Sequence, residues 1–275
     1  DCCQNDGGVR VEEAFENRVF WVTGASSGIG RALAQELLAV GASVVLTARR
    51  SEPLVEIAAR DSQRSVVLPA DLENVEDIEE LVEAAEGAFG RLDGLFYAAG
   101  LSQRSPALTT LRDVEDRLFT INYRAPQRIM KALSPRLGAA GRLVVVGSLA
   151  AYVPTPLRSS YSAAKAAVGA YLESLSAELR QRGLLVTHVV PGFVQTEISR
   201  AALRSDGSAH GEMDANQARG MSPEECSRRI LRAVAQGRSR AFVALGFRGR
   251  VALILSRWFP GVLQRLLAKR PKAYQ

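Results

Sequence analysis

Tyr161 and Lys165 stand four residues apart in Tyr161-Ser162-Ala163-Ala164-Lys165, and Ser148 lies thirteen residues before Tyr161. On a helix, which the alanine-rich stretch favours, that spacing stacks a phenol and an ammonium on one face. A phenol ordinarily keeps its proton to about pH 10. A fixed cation beside it favours the phenolate, giving a proton donor and acceptor usable near neutrality. Lysine is scarce here: of 35 basic residues only Lys131, Lys165, Lys269 and Lys272 are lysines. Arginine would hold its proton as firmly, but its planar fork is not the shape of a compact ammonium. On this pair alone, a tyrosine and a lysine sharing a helix face by chance remains an open reading.

A second group of residues could hold a dinucleotide. An apolar run leads into Thr23-Gly24-Ala25-Ser26-Ser27-Gly28-Ile29-Gly30, and a helical stretch follows. Gly24, Gly28 and Gly30 allow a tight turn, close approach of the backbone to a phosphate, and packing of helix on strand. The helix N-terminus offers Ser26, Ser27 and Ile29, with their free N–H groups, to a pyrophosphate. A glycine trio can be a structural turn, but between the first strand and first helix of a βαβ unit it meets the context that phosphate binding requires. The second apolar run ends in Thr47-Ala48-Arg49-Arg50. Folds that take NAD(H) usually carry an acid there for the ribose 2′-hydroxyl, whereas Arg49 and Arg50 suit a 2′-phosphate. NADP(H) is therefore expected over NAD(H), with two solvated loop arginines as the plainer reading. Asp71 and Leu72 close the third run, where an adenine edge would lie. Ala98, Ala99 and Gly100 present bare backbone to a ribose.

The elements that must position these groups alternate along the chain. Strands are predicted at Arg18–Thr23, Ser43–Ala48, Ser65–Ala70, Gly94–Ala98, Arg142–Gly147 and Leu184–Val190. Most are continuous apolar runs, as strands buried on both faces of a parallel sheet require. Helices are predicted at Ile29–Val40, Pro53–Arg60, Val75–Phe89, Leu111–Leu137 and Tyr161–Arg182. The rhythm points to an α/β fold, a doubly wound parallel sheet with helices on both faces. A polar arm (1–17), one domain (18–245) containing a mobile loop near 199–221, and a basic apolar tail (246–275) make up the expected organisation.

Hydrophobic content of 47% and charged content of 23% describe an ordinary globule. Cys2 and Cys3 are adjacent and Cys226 stands alone, which is no disulfide framework and suggests a reducing compartment. His188 and His210 without a Cys/His cluster argue against zinc, and no metal site is expected. No apolar run of 18 residues and no signal peptide is visible, so a cytoplasmic setting is expected. The net charge of +6 hides an asymmetry: from Arg228 onward there are twelve basic residues and no acidic one, while the preceding body is net acidic.

TGASSGIG at 23–30, Ala98-Ala99-Gly100, Asn122, Ser148, YSAAK at 161–165 and PGFVQT at 191–196 stand in the order and spacing of the short-chain dehydrogenases/reductases, which the chain resembles over roughly residues 17–236. The resemblance implies a three-layer αβα Rossmann-type fold and hydride transfer between a nicotinamide cofactor and a carbonyl or secondary alcohol. It implies Tyr161 as catalytic acid/base and Lys165 as the cation that lowers its pKa and holds the nicotinamide ribose. Ser148 would orient the substrate carbonyl, and Asn122 would anchor a relay water beside the cofactor. Pro191, Gly192, Val194 and Thr196 would line the nicotinamide carboxamide. The chain departs from the family at Tyr97-Ala98-Ala99-Gly100, where Asn-Asn-Ala-Gly is usual, and the missing amide should remove hydrogen bonding from the sheet. Pro156–Ser159, Pro191–Ser208, Met213-Asp214 and Ser222-Pro223 resemble a subgroup linked to lipid metabolism, including reduction of acyl- or alkyl-dihydroxyacetone phosphate. That implies a lipophilic substrate. Homo-oligomers through Leu111–Leu137 and Tyr161–Arg182 are also expected from the family.

Rival classes fare less well. Val146-Gly147-Ser148-Leu149-Ala150 is not the GxSxG of a serine hydrolase, and His188, inside an apolar strand, reads as a core or sheet-edge residue. A non-catalytic sensor of NADP(H) on the same fold is the stronger rival, although it would not need Ser148, Tyr161, Lys165 and Asn122 together. In the tail, Ala241–Leu245, Val251–Leu255 and Trp258-Phe259 alternate with arginines, a mix suited to an anionic lipid surface rather than to nucleic acid. Covering a sheet edge or an oligomer interface is the equal alternative, and the tail could also shape a substrate mouth.

Overall fold

Every predicted apolar run becomes a strand of one sheet: β1 (Val19–Thr23), β2 (Ser43–Thr47), β3 (Ser65–Val67), β4 (Gly94–Tyr97), β5 (Arg142–Val146) and β6 (Leu185–Pro191). A seventh, β7 (Arg240–Val243), completes it, and the order is β3-β2-β1-β4-β5-β6-β7, parallel throughout. The computed structural model describes residues 10–74 and 77–268; Cys2, Cys3, Val75, Lys269 and Lys272 lie outside the described residues. β7 is absent from the predicted strands because only Ala241 and Val243 are buried, while Arg240 and Phe242 face outward. That alternation belongs to an edge strand with one covered face, and a search for continuous apolar runs passes over it.

The helices, in chain order, are α1 (Val11–Phe15), α2 (Gly28–Ala39), α3 (Glu52–Ala58), α4 (Ile78–Gly87), α5 (Arg112–Phe119), α6 (Ala125–Leu133), α7 (Ser159–Leu179), α8 (Ala215–Ala218), α9 (Pro223–Ala235), α10 (Phe247–Trp258) and α11 (Pro260–Ala268). The helix expected at Leu111–Leu137 forms as one helical run, Arg112–Arg136, whose hydrogen-bond pattern changes at a single π-helical turn, Thr120–Arg124, between α5 and α6. An α-helix through this point would need Pro126 to donate to the Asn122 carbonyl, and proline has no N–H to give. α9 escaped the sequence reading although its start is well marked, with Ser222 Oγ accepting from Glu225 N at 3.2 Å and proline in the first turn.

Side chains alternate across the sheet. Phe20 and Val22 of β1 point to the side of α2 and α9, whereas Val19 and Trp21 point to the side of α4, α6 and α7. Trp21 is fully buried, and its indole N–H donates to Thr47 Oγ1 at 2.9 Å. The segment expected as a polar arm in fact contributes to the core. Phe15 of α1 meets Phe20 edge-on at 5.5 Å between ring centroids, and Phe96 lies 6.2 Å away. The Arg142 guanidinium sits over the Phe15 ring at 5.4 Å and donates to the Val234 carbonyl at 2.7 Å. Burial draws the Arg142 pKa down to about 10.

Phe15→Ala should therefore cost about 3–5 kcal/mol, the usual loss for a buried phenylalanine. Urea unfolding checks it; a loss within about 0.5 kcal/mol of zero would make α1 a surface arm after all.

Candidate active site

A cavity of about 1160 Å³ runs along the C-terminal ends of β1, β4, β5 and β6. It lies at the sheet's switch point, where β1 is flanked by β2 and β4, and open α/β sheets place ligands there. Its volume exceeds the ~300–1,000 Å³ of an ordinary small-molecule pocket.

One end is built by the turn between β1 and α2. Gly24, Ser26, Ser27, Gly28, Ile29 and Gly30 all line it. Gly24 has φ +69°, and a Cβ there would lie 2.6 Å from Ala99 N; a Cβ on Gly30 would lie 2.2 Å from the Gly24 carbonyl oxygen. Only glycine permits this approach. Ser27 caps α2 in extended conformation without a side-chain hydrogen bond, and no acidic residue stands in the first turn. The N–H groups and the positive dipole end of α2 therefore face the cavity uncompensated, a fit to an anion.

Arg49 and Arg50 line the adjoining wall with Asp71 and Leu72. Glu73, which the sequence reading did not single out, sits between two arginines, with Arg117 Nε at 2.5 Å and Arg49 Nη1 at 3.6 Å. The tighter bond goes to Arg117, so Arg49 keeps most of its donors for the cavity.

Ala99 and Gly100 form the floor. Where the family's pattern has asparagines, the Tyr97 hydroxyl donates to the Ile121 carbonyl at 2.7 Å, and Ala98 N donates to the Thr23 carbonyl at 3.1 Å. Thr23 Oγ1 is buried with no partner among the described residues, in keeping with a lost amide.

Ser148, Tyr161 and Lys165 converge on the far wall, with Pro191, Gly192, Val194 and Thr196 opposite. Ser148 stands two residues after β5, where it caps the turn Leu149–Ala151 and accepts from Ala150 N at 3.1 Å. Lys165 is buried and donates to the Val146 carbonyl at 2.9 Å. Burial lowers its pKa to about 8. Tyr161 departs from expectation: burial raises the phenol above its ordinary value, and the Ser148 hydrogen bond and the Arg158 charge pull it only partly back. One N–H of the Lys165 ammonium goes to a backbone carbonyl, and at the phenol burial outweighs the groups that favour the phenolate.

Asn122, expected beside the cofactor, does not line the cavity. It lies in the π-helical turn, and its amide N–H groups are committed to the Leu101 and Leu118 carbonyls, both at 2.9 Å. Its Oδ1 is buried and unpartnered among the described residues. A Cβ at Gly100 would fall 3.1 Å from Asn122 Oδ1 and 3.5 Å from Lys165 Nζ, so Asn122 stands one layer behind the wall, close to the lysine.

His188 is a core residue. A Cβ at Gly147 would be 2.2 Å from its Nε2 and one at Gly169 2.8 Å from its Cε1. Burial and the neighbouring cations lower its pKa to about 4.

The N-terminus of α7, which carries Tyr161 and Lys165, has no cap from its own Arg158. Gln103 supplies one from outside the helix. Its Oε1 accepts from Ser160 N at 3.0 Å and Tyr161 N at 3.1 Å, and its Nε2 donates to Ser105 and Thr110 hydroxyls at 3.1 and 3.2 Å. Gln103 also bridges to Leu203. This ties the segment expected as a loop at 199–221 to the helix; within that segment α8 forms, and Gln217 donates to Thr196 Oγ1 at 2.9 Å. No local pattern marks Gln103, because its partners are distant in sequence. The tail closes the cavity through Phe247, Val251, Leu255 and Leu263.

A family model described as short chain dehydrogenase matches residues 18–206. A dehydrogenase/reductase SDR family member 7B of Xenopus tropicalis is 34% identical over 269 residues, covering 94% of this chain and 87% of the relative. A dehydrogenase/reductase SDR family protein 7-like of Anopheles gambiae is 34% identical over 266 residues, 93% and 84% of the two chains. Among solved structures, a short chain dehydrogenase of Burkholderia cenocepacia J2315 in complex with NADP is 27% identical, with TM-score 0.75 over 92% of this chain and 98% of that one. A short chain dehydrogenase/reductase of Burkholderia phymatum in complex with NAD shares the fold at 20% identity, with TM-score 0.77 over 92% and 96%.

Gln103→Leu strands two buried N–H groups at the start of α7 and should destabilise the protein by about 2–4 kcal/mol. Gln103→Glu keeps the acceptor and should recover most of that loss in urea unfolding. Equal losses for both would show that side-chain packing, not the cap, is what Gln103 provides.

Proposed function

Because this chain belongs to the short-chain dehydrogenase/reductase family, we propose that it is an NADP(H)-dependent oxidoreductase interconverting a carbonyl and a secondary alcohol on a lipophilic substrate. The convergence of Ser148, Tyr161 and Lys165 on a cavity whose other end is the glycine turn carries this reading.

The open N-terminus of α2 would hold the pyrophosphate, and Arg49 and Arg50 the 2′-phosphate. Asp71 and Leu72 would meet the adenine, Ala99 and Gly100 the ribose side, and Pro191, Gly192, Val194 and Thr196 the carboxamide. When bound, the nicotinamide supplies the hydride for reduction and accepts it for oxidation. Burial keeps the Tyr161 phenol protonated at neutral pH, the state from which it can give its proton to the carbonyl oxygen as the carbon gains hydride. Ser148 Oγ donates a hydrogen bond to the same oxygen and orients it. Lys165, still largely an ammonium at pH 7, would hold the nicotinamide ribose hydroxyls. Asn122 Oδ1, unpartnered behind Gly100, would hold a water that returns a proton toward Lys165.

Apolar side chains from Leu149, Val153, Phe193, Phe247 and Val251 dominate the substrate side. Arg158 lies among them. Asp214 is bound at 2.7 Å by Arg104 and only at 3.6 Å by Arg158, which leaves positive charge over at the wall. A lipophilic carbonyl compound, whether a keto-lipid, a steroid-like ketone or an acyl- or alkyl-dihydroxyacetone phosphate, fits such a lining, and the last would bring a phosphate to Arg158.

The cofactor reading is checked by NADPH and NADH dissociation constants before and after replacing Arg49 and Arg50 together by alanine. The preference for NADPH should fall at least about tenfold, the value of one lost charge-assisted contact. An unchanged ratio would remove the 2′-phosphate from these arginines.

The catalytic reading is checked by NADPH consumption across a panel of lipophilic carbonyls. Tyr161→Phe should lower kcat by about 10²–10⁴-fold with little change in NADPH affinity. Because the Lys165 pKa is lowered, its charge is present below about pH 8 and lost above it, so reduction should decline on the alkaline side of about pH 8. Full activity in Tyr161→Phe would overturn the assignment.

A further inference from the structure

The pair α10 and α11 has two apolar sides. One closes the cavity, through Val251, Ala252, Leu255 and Leu263. The other faces outward with Phe247, Ile254, Trp258, Phe259, Val262 and Leu266 exposed, Phe247 by 82% and Trp258 by 72%. Phe247, Val251 and Leu266 are exposed and also line the cavity, and Phe193, likewise exposed, joins them at the cavity wall, so the apolar surface is continuous with the mouth. These helices also carry Arg248, Arg250, Arg257 and Arg265, and no acidic residue follows Arg228 anywhere in the chain. Among the described residues none of the four makes an ion pair. The sheet edge does not use this surface, since Phe242 of β7 packs against Tyr152 and stays half-exposed.

We propose that α10 and α11 dock the mouth of the cavity on an anionic lipid surface, so that a lipophilic substrate passes from the bilayer into the site without crossing water. The surface combines exposed large apolar groups with uncompensated arginines, the composition of an interfacial helix pair. A second copy of the chain is a poorer occupant, because a two-fold contact would set an all-basic face against itself. The docking follows from the surface; delivery of substrate rests on the lipophilic reading above. The four arginines lie within a few residues of the apolar groups, and each basic residue at such a surface strengthens binding about fivefold.

Co-sedimentation of the protein with vesicles of phosphatidylcholine, alone or mixed with phosphatidylserine, tests the docking. Trp21 is buried and Trp258 exposed, so a blue shift of tryptophan emission reports Trp258 entering the interface. Binding and the blue shift should occur on the mixed vesicles, weaken with added salt, and be slight on phosphatidylcholine alone. Arg257→Gln with Arg265→Gln should weaken binding by about tenfold or more. Ile254→Ser with Val262→Ser should abolish the blue shift. NADPH binding, measured on the same samples, should be unchanged in both variants and shows that they are folded. Failure of the native protein to bind mixed vesicles would overturn the proposal. So would a dimer, seen by light scattering, that the Ile254 and Val262 substitutions dissolve. Vesicle binding by a protein inactive on every lipophilic carbonyl would sink the substrate reading and leave the docking standing.

Discussion

An ammonium in an apolar interior needs an oxygen to hold it, and Lys165 has the Val146 carbonyl at 2.9 Å. This bond fastens α7 to the C-terminal end of β5 and so brings Tyr161 to Ser148. The close approach of helix to sheet has a steric condition, met by Gly147 and Gly169, which leave room for the His188 ring between them. Gly100 clears the space between Lys165 and Asn122 in the same way. The desolvation that accompanies this packing lowers Lys165 to about 8 and raises Tyr161, so one constraint sets both the geometry and the protonation states.

A second regularity concerns charge. The chain is rich in arginine, and at two places beside the cavity one carboxylate serves two of them. Glu73 lies 2.5 Å from Arg117 and 3.6 Å from Arg49; Asp214 lies 2.7 Å from Arg104 and 3.6 Å from Arg158. In both cases the looser partner is the arginine that lines the cavity. The acid anchors a wall segment through the tighter pair, and the positive charge left over is directed inward. Salt bridges of this kind contribute little stability when exposed; their larger effect here is on the potential that a negatively charged ligand would meet.

Much of the frame was legible from local pattern. Six strands were readable because parallel strands buried on both faces must be apolar throughout, and the glycine turn because its spacing follows from close backbone approach. β7 was not, since an edge strand alternates; nor was the π-helical turn, whose cause, Pro126, lies within a stretch of otherwise good helical periodicity. α1 read as polar because Glu12 and Glu13 mask one buried phenylalanine.

The sequence by itself determined what depends on neighbours along the chain: the Tyr161–Lys165 spacing, the turn at Gly24–Gly30, and the arginines after β2, all set by local backbone geometry. Tertiary structure alone decided what depends on distance through space. It placed Gln103 under the first turn of α7, 57 residues away in sequence, set Asn122 behind the wall rather than in it, and folded the tail over the mouth. It also reversed the expected direction of the Tyr161 shift, because desolvation is a property of the packed surroundings and not of the helix that carries the residue.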